Sequence, residues 1–344
     1  MRARESVKFR FQVSDFEVSD IGLLALFRIL SFWCFEFVSR FEFRALGFAS
    51  KERADMTNLK LVFTAVLAAV ALASPVLSQE LDGTLKKIKT TGTFTIGYRE
   101  SAPPFSFMGP DKRPVGYSID LCMNVASAVQ QQLGLANLKL DWVAVTAENR
   151  VDMVAQGKVD IECSTTTATL SRQEKVDFSL MTFVDGGSLL SMAGADLGAS
   201  LNGLTGKRIA IIPGTTTEKA LNEFLKKQFI NVQMVRVKDH AEGVAVIEGN
   251  KADAFASDRG ILIGLALTSK DPKRFALANL LFSYEPYGLM VRRNDGAFRL
   301  AVNRALAALY RSGGIVNIYE RWFAAFGKPS EAIQAMYLLN GLPE

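Results

Sequence analysis

The chain has 344 residues, 49% of them hydrophobic, and a formal net charge of +5. This length suits two ordinary domains, each with a core of its own. With a single histidine and three cysteines, the sequence has no His/Cys pattern typical of a metal site. The basic residues are not clustered in runs, which argues against nucleic-acid binding. We therefore expect no metal, no cofactor and no nucleic-acid partner.

The first 55 residues differ in composition from the rest of the chain. They hold ten of its 24 phenylalanines, without helix caps, turn residues or a steady hydrophobic period. Arg28 and Glu36 interrupt the apolar stretch at 21–38, and a charge near the centre of a bilayer costs about 2.5–3.5 kcal/mol. This stretch is therefore a poor membrane span. We predict that residues 1–55 precede the true start of the protein.

Met56 opens the pattern of a signal peptide. Lys60 belongs to a short basic region, residues 61–73 form an apolar run, and residues 74–78 resemble a cleavage region. We predict a signal peptide at 56–78 and export of the mature chain to the bacterial periplasm.

The predicted mature chain retains two cysteines, Cys122 and Cys163. An oxidising compartment permits a disulfide bond between them. Two small, buried apolar residues are the alternative interpretation.

The first half of the mature chain alternates strands with helices. Strands are predicted at 93–97, 138–143 and 159–163, and helices at 118–133 and 148–156. This order favours a parallel sheet with right-handed crossovers. We expect Ser118 or Asp120 to cap the first helix, and Pro103 and Pro104 to hold the preceding loop extended.

Polar residues follow these strands, where ligands bind in open α/β sheets. The third strand ends in four hydroxyl residues at 164–167, and Arg172 lies five residues further on. Hydroxyls and free backbone N–H groups favour an anion, and an arginine can bind a carboxylate with two parallel hydrogen bonds. A polar loop that only caps the next helix is the alternative. Arg99 follows the first strand, and Arg150 lies in the first turn of a helix, where the helix dipole disfavours a cation.

A second unit has a similar layout. Residues 149–160 and 242–253 share the order helix, Gly, Lys, Asp, strand. Thr216 lies at the start of a helix, His240 at the end of a strand, and Asp258 just after another strand. Two similar units that direct polar residues from their strand ends suggest a cleft between them.

The last strand and the C-terminal helices are expected to return to the first unit. We predict a first lobe at 79–186 and 284–344, with a second lobe inserted at 187–283. Two connections between the lobes would suit hinge closure around a ligand.

An ordered set of short motifs resembles one protein family. The motifs are Arg99-Glu-Ser, Val115-Gly-Tyr-Ser118, Glu148-Asn-Arg150, Glu162-Cys-Ser-Thr-Thr-Thr167 with Arg172, Gly214-Thr-Thr216, Lys238-Asp-His240 and Tyr287-Gly288. On these motifs the chain resembles the solute-binding proteins of polar amino-acid ABC importers, and in particular their glutamate/aspartate binders. The resemblance implies an α/β, two-lobed periplasmic-binding-protein (Venus-flytrap) fold of type II, with two parallel-rich sheets joined by two hinge connections.

The resemblance also implies which residues bind the backbone end of an amino acid. Arg172, with Thr167 and Thr216, would bind the α-carboxylate. Asp258, helped by Thr165, would bind the α-ammonium.

The side-chain carboxylate of an acidic amino acid would be bound by Arg99, Arg150 and His240. Two positions depart from the glutamate-binder pattern, which has serine in place of Ala147 and Gly-Ser in place of 164–165. The first departure removes a hydroxyl near the ligand side chain, so the preference among aspartate, glutamate and their amides stays open.

The implied function is a non-catalytic component that captures L-glutamate or L-aspartate and delivers it, as a monomer, to permease subunits in the inner membrane. A binder of glutamine or asparagine on the same fold is the alternative. A cyclohexadienyl dehydratase-like enzyme is less favoured, because Glu100, Glu162 and His240 form no evident acid–base pair.

Overall fold

The computed structural model describes residues 81–195 and 201–344. The predicted upstream segment at 1–55 and the predicted signal peptide at 56–78 lie outside the described residues. Within the described ranges, every helix falls short of the length and hydrophobicity that a membrane span requires.

The helices and strands of the structure include those predicted for the first half of the mature chain, with small shifts at their ends. From the start to the first crossing between sheets they are α1 (Gly83–Thr91), β1 (Thr93–Tyr98), β2 (Ser101–Ala102), β3 (Ser106–Met108), β4 (Pro114–Val115), α2 (Tyr117–Gln132), β5 (Lys139–Ala144), α3 (Arg150–Ala155), β6 (Ile161–Cys163), α4 (Leu170–Gln173) and β7 (Val176–Asp185). Then come β8 (Gly187–Met192), β9 (Arg208–Ile211), α5 (Thr216–Lys227), β10 (Gln233–Arg236), α6 (His240–Glu248), β11 (Ala254–Asp258), α7 (Arg259–Thr268) and β12 (Phe275–Leu277). The chain ends with β13 (Glu285–Arg292), α8 (Gly296–Arg311), α9 (Gly314–Phe323) and α10 (Glu331–Asn340).

The first sheet has the strand order β5-β1-β6-β13-β7. Strand β1 pairs in parallel with β5 and β6, whereas β13 is antiparallel to β6 and β7. One apolar core joins this sheet to α1, α2 and the three C-terminal helices, with Phe94, Tyr117 and Phe298 fully buried in it. The C-terminal helices thus pack on the first sheet, as expected.

The second sheet has the order β10-β9-β11-β8-β12. Strand β9 pairs in parallel with β10 and β11, and β8 is antiparallel to β11 and β12. The chain crosses between the sheets after β7 and again before β13. The predicted two-lobed α/β fold is confirmed.

The sequence repeat corresponds to the same backbone arrangement in each sheet. Asp160 accepts a hydrogen bond from the N–H of Thr95 at 2.8 Å, at the start of the first sheet. Asp253 accepts one from the N–H of Arg208 at 2.7 Å, at the start of the second sheet. Each aspartate therefore fixes the loop after a helix to the beginning of a neighbouring strand.

The predicted caps of helix α2 were wrong. The helix begins after Gly116, and no side chain caps it. The Ser118 hydroxyl instead donates to the carbonyl of Ser164 at 2.7 Å, and Asp120 accepts from the indole N–H of Trp322 at 2.8 Å. Both side chains make tertiary contacts, which a local sequence pattern does not reveal.

The loop with the paired prolines is not extended. The Pro103–Pro104 peptide bond is cis, and the chain turns back there. Strands β2, β3 and β4 form a small antiparallel sheet at this point. The sequence favours an extended conformation before a proline, but the antiparallel pairing of β2 with β3 shows that the chain reverses its direction in this loop.

Cys122 and Cys163 form a disulfide bond, which resolves the two alternatives. Their Cα atoms are 6.3 Å apart, within the usual range for a disulfide. The bond connects α2 to the end of β6. It therefore fixes the strand that leads into the hydroxyl stretch at 164–167.

Candidate ligand-binding site

The predicted site residues lie after strands, or at the starts of the helices that follow them, in both sheets. From the first sheet they are Arg99 after β1, Arg150 at the start of α3, Thr165 and Thr167 after β6, and Arg172 in α4. From the second sheet they are Thr216 at the start of α5, His240 at the start of α6 and Asp258 at the end of β11. This is the edge at which open α/β sheets bind ligands.

The hydroxyl stretch at 164–167 does not cap the next helix. Thr169 caps α4 instead, because its hydroxyl accepts the N–H of Arg172 at 3.2 Å. All four residues of the stretch are buried. The guanidinium of Arg172 also donates to the carbonyl of Thr167 at 2.8 Å, which places this cation against the stretch.

Thr167 and Thr216 bring the two lobes into contact. Their hydroxyl oxygens are 3.1 Å apart, and both hydroxyls donate to the Glu285 carboxylate, at 2.5 and 2.7 Å. Their hydrogens are thus directed at Glu285 and not at a ligand. Thr216 is also the first residue of α5, after the cap Thr215, so its backbone N–H has no partner within the helix. That N–H is the group it can offer to a ligand carboxylate.

Three arginines of the predicted site are buried or partly buried. The exposed fractions of Arg99 and Arg150 are 4% and 3%, and Arg172 is partly buried. Burial, and next the charge of Arg150, lower the pKa of Arg99 and that of Arg172 to about 10. Arg150 therefore acts on both of the other arginines. A bound anion would relieve their repulsion.

Unpaired buried polar atoms are concentrated at the same place. Among the described residues, five buried side-chain atoms lack a hydrogen-bond partner. Four of them are Arg150 Nε, Glu162 Oε1, Ser164 Oγ and His240 Nδ1. Buried polar atoms nearly always have a hydrogen-bond partner, so a cluster of unpaired ones indicates groups that are available to bind a ligand.

His240 is a buried, neutral imidazole. Burial holds its pKa well below the usual value, and the charges of Arg99 and Arg150 act in the same direction. A hydrogen bond to the backbone of Ser101 opposes them. This bond reaches from the second lobe to the first. His240 can therefore contribute a hydrogen bond rather than a charge.

Asp258 lies near the arginines and is held by two hydroxyls. Its carboxylate accepts from Thr217 at 2.6 Å and from Tyr287. Burial raises its pKa, and the charge of Glu285 raises it further. The charge of Asp258 also acts on Arg99, and that of Arg150 acts on Asp258.

Thr165 completes the set of predicted residues. It is buried, and its carbonyl accepts a long hydrogen bond of 3.5 Å from Arg150. It therefore lies beside the arginine group.

Glu162 is a site residue that the pattern of β6 did not reveal. The alternation of the strand predicts an outward polar residue, yet Glu162 is completely buried. It accepts from Thr166 at 2.8 Å, and its second oxygen is 4.0 Å from Arg150. Burial raises its pKa, against the nearby arginines. A carboxylate two residues before a run of four hydroxyl residues was the available signal.

Glu285 and Thr217 were also missed, and Tyr287 was recognised only as part of a motif. Each contacts a predicted residue through a hydrogen bond between segments far apart in sequence. Among the described residues, no group of histidine, cysteine, aspartate and glutamate side chains is arranged to hold a metal ion.

Comparison with known proteins gives consistent results. The family model for bacterial extracellular solute-binding proteins, family 3, matches residues 94–325. The L-glutamate/L-aspartate-binding protein of Pseudomonas aeruginosa is 39% identical over 264 residues, which cover 76% of this chain and 87% of the relative. The glutamate/aspartate import solute-binding protein of Escherichia coli is 32% identical over 265 residues, 77% of this chain and 86% of the relative.

A solved structure extends the comparison to the fold. The ancestral amino acid-binding protein AncCDT-1, a precursor of cyclohexadienyl dehydratase, superposes with a TM-score of 0.60 at 27% identity. The match covers 70% of this chain and 100% of that chain. Together with the family match, it confirms the predicted type II fold.

Proposed function

The chain belongs to the bacterial extracellular solute-binding proteins of family 3, and we propose that it captures L-glutamate or L-aspartate in the cleft between its lobes. The observation that carries the proposal is that Arg150 and Arg172 both donate to carbonyls of the buried hydroxyl stretch, while the charges of Arg150 and Asp258 act on the buried Arg99. An acidic amino acid has two carboxylates and one ammonium, which match these charges. The names of the two relatives agree with this ligand class.

Each end of the ligand has its own set of groups in this proposal. Arg172, with the N–H of Thr216, binds the α-carboxylate. Asp258 accepts the α-ammonium. Arg99 and Arg150 bind the side-chain carboxylate. Hydrogen bonds to charged groups are worth about 1.5–3 kcal/mol each, so the loss of one changes affinity strongly.

Titration calorimetry with the twenty amino acids tests the ligand class. We expect the tightest binding for L-glutamate or L-aspartate. Tight binding of neutral or basic amino acids alone would reject the acidic specificity.

Arg99→Ala tests the assignment of the side-chain end. We expect the affinity for the acidic ligand to fall by more than about tenfold, since a charge-assisted hydrogen bond is lost. Arg113→Ala is the matched control, because the Arg113 side chain is 83% exposed and its ion-pair partner, Asp111, is exposed as well. An unchanged affinity in Arg99→Ala would remove Arg99 from the site.

One observation favours an amide ligand, glutamine or asparagine, as the second candidate. The unpaired Nδ1 of neutral His240 can accept a hydrogen bond from an amide, but it must first be protonated to bind a carboxylate. Calorimetry in buffers of different ionisation enthalpy separates the two. Binding of an acidic ligand with proton uptake supports the first candidate, and amide binding without uptake supports the second.

We further propose that the protein acts in the periplasm as a monomer and delivers its ligand to the permease subunits of an ABC importer. The relatives from Pseudomonas aeruginosa and Escherichia coli are named as binding proteins and not as enzymes, which supports a non-catalytic role. Co-purification of the ligand-loaded protein with the permease tests this step. Turnover of prephenate or arogenate would contradict the non-catalytic role.

A further inference from the structure

Asp185 is an acidic residue at the point where the chain leaves the first sheet for the second. Its Oδ1 accepts the N–H of Gly186 at 2.8 Å. Its Oδ2 accepts the N–H of Gly260 at 2.9 Å and lies 3.4 Å from the hydroxyl of Tyr287. Gly260 belongs to helix α7 of the second sheet. Asp185 therefore connects the end of β7 to the start of a helix in the other lobe.

Helix α7 has an aspartate of its own at the capping position. Asp258 is the N-cap residue, and aspartate is among the best capping residues. Its side chain nevertheless makes no capping hydrogen bond. Its oxygens accept from Thr217 and Tyr287 instead. The first free N–H groups of the helix are bound from the other lobe, where the carbonyl of Gly186 accepts from Arg259 at 2.8 Å and Asp185 accepts from Gly260.

The contact between Asp185 and Gly260 requires a glycine. A Cβ atom on Gly260 would lie 2.8 Å from Asp185 Oδ2 and 3.1 Å from the ring of Phe105. The first distance is too short for a real Cβ atom. The carboxylate can approach the helix start only because no side chain lies between them.

We propose that Asp185 is a positioning residue for the ligand ammonium. Asp185 supplies the capping hydrogen bond of α7, and the Asp258 carboxylate is therefore free to face Arg99 and Arg150. Without Asp185, the Asp258 side chain is the nearest group able to cap the helix, and it would turn away from the cleft. The proposal rests on the proposed function, in which Asp258 accepts the α-ammonium.

The test compares two ligands that differ only in the amino group. Calorimetry measures the affinity of L-glutamate, and competition against it measures the affinity of glutarate, which has the same two carboxylates. In Asp185→Ala we expect the affinity for L-glutamate to fall about fivefold, because Asp258 would have to give up the capping hydrogen bond to bind the ammonium, and the loss of a cap typically has an effect of this size. The affinity for glutarate should stay unchanged. In Asp185→Asn we expect a smaller loss for L-glutamate and none for glutarate, because the amide oxygen can still accept the N–H of Gly260, whereas the amide NH2 group then faces the N–H of Gly186.

A double-variant cycle gives a second readout. If Asp185 acts through Asp258, then Asp185→Ala has no further effect on L-glutamate affinity in the Asp258→Asn background. The proposal would be overturned if Asp185→Ala lowered the affinities for L-glutamate and glutarate equally. It would also be overturned if Asp185→Ala lowered the L-glutamate affinity as much in the Asp258→Asn background as in the natural protein. Asp185 would then have a general structural role. If the natural protein bound another amino acid, the proposed function would fail first. The same comparison would then use that amino acid and its deaminated analogue.

Discussion

Removal of the disulfide gives the clearest stability prediction. The bond between Cys122 and Cys163 closes a loop with a sequence separation of 41 residues. In the chain-entropy description, a loop of this size restricts the unfolded chain by about 4 kcal/mol at 25 °C. We therefore expect the free energy of unfolding of the double variant Cys122→Ala/Cys163→Ala to be about 4 kcal/mol lower than that of the oxidised protein.

Urea unfolding measures this difference. With a urea dependence of about 2–3 kcal/mol per M, the midpoint should fall by about 1–2 M. Reduction of the natural protein should give a similar shift and retain both sulfur atoms in the core. The double variant in the same reductant is the control, and its midpoint should not move. Equal midpoints for the oxidised protein and the double variant would refute the reasoning, because the crosslink would then not restrict the unfolded chain.

Two further predictions concern the single histidine and the contact between the lobes. Burial holds the pKa of His240 below its usual value, so the unfolded chain takes up a proton below about pH 6.5 that the folded chain does not. The unliganded protein should therefore lose stability as the pH falls through this range. Between about pH 7 and pH 5, the melting temperature of His240→Gln should fall by less than that of the natural protein. Equal falls in the two proteins would contradict this. A Cβ on Gly264 of α7 would lie 2.3 Å from the carbonyl oxygen of Pro103 in the first lobe, so Gly264→Ala should weaken ligand binding although alanine favours the helix. Gly296→Ala, where a Cβ meets open space, is the control, and calorimetry showing equal affinities for the two variants would disprove the effect.

The order of strands and helices was predictable because it depends on local hydrophobic periods. The alternation in 93–97 and 138–143 corresponds to β1 and β5, and the first of these runs extends by one residue in the structure. Arg150 was recognisable as unusual because a cation at a helix start opposes the helix dipole. The structure shows it buried with an unpaired Nε. A residue in a locally unfavourable position was thus informative about the site.

The residues that sequence reasoning missed are defined by distant contacts. Glu285 lies 118 residues from Thr167 and 69 residues from Thr216, yet it accepts from both hydroxyls. Nothing in the pattern of β13 distinguishes it from an exposed polar residue of a strand. The same holds for Glu162, which the period of β6 assigns to the outside. Local periods describe which face a residue occupies only when one face of the strand meets solvent, and the central strands of this sheet are covered on both faces.

The hinge and the ligand site share the same carboxylates. Glu285 and Asp185 are register partners on β13 and β7, the two strands next to the crossings between the sheets. Each accepts a hydrogen bond from the start of a helix in the second lobe, at Thr216 and at Gly260. Separation of the lobes at Thr216 would remove one of these partners from Glu285, which is only 1% exposed, at a cost of about 1.5–3 kcal/mol. The geometry of the two connections is therefore coupled to the position of Thr216 and Asp258, so a substitution at the hinge should change ligand recognition as well as closure.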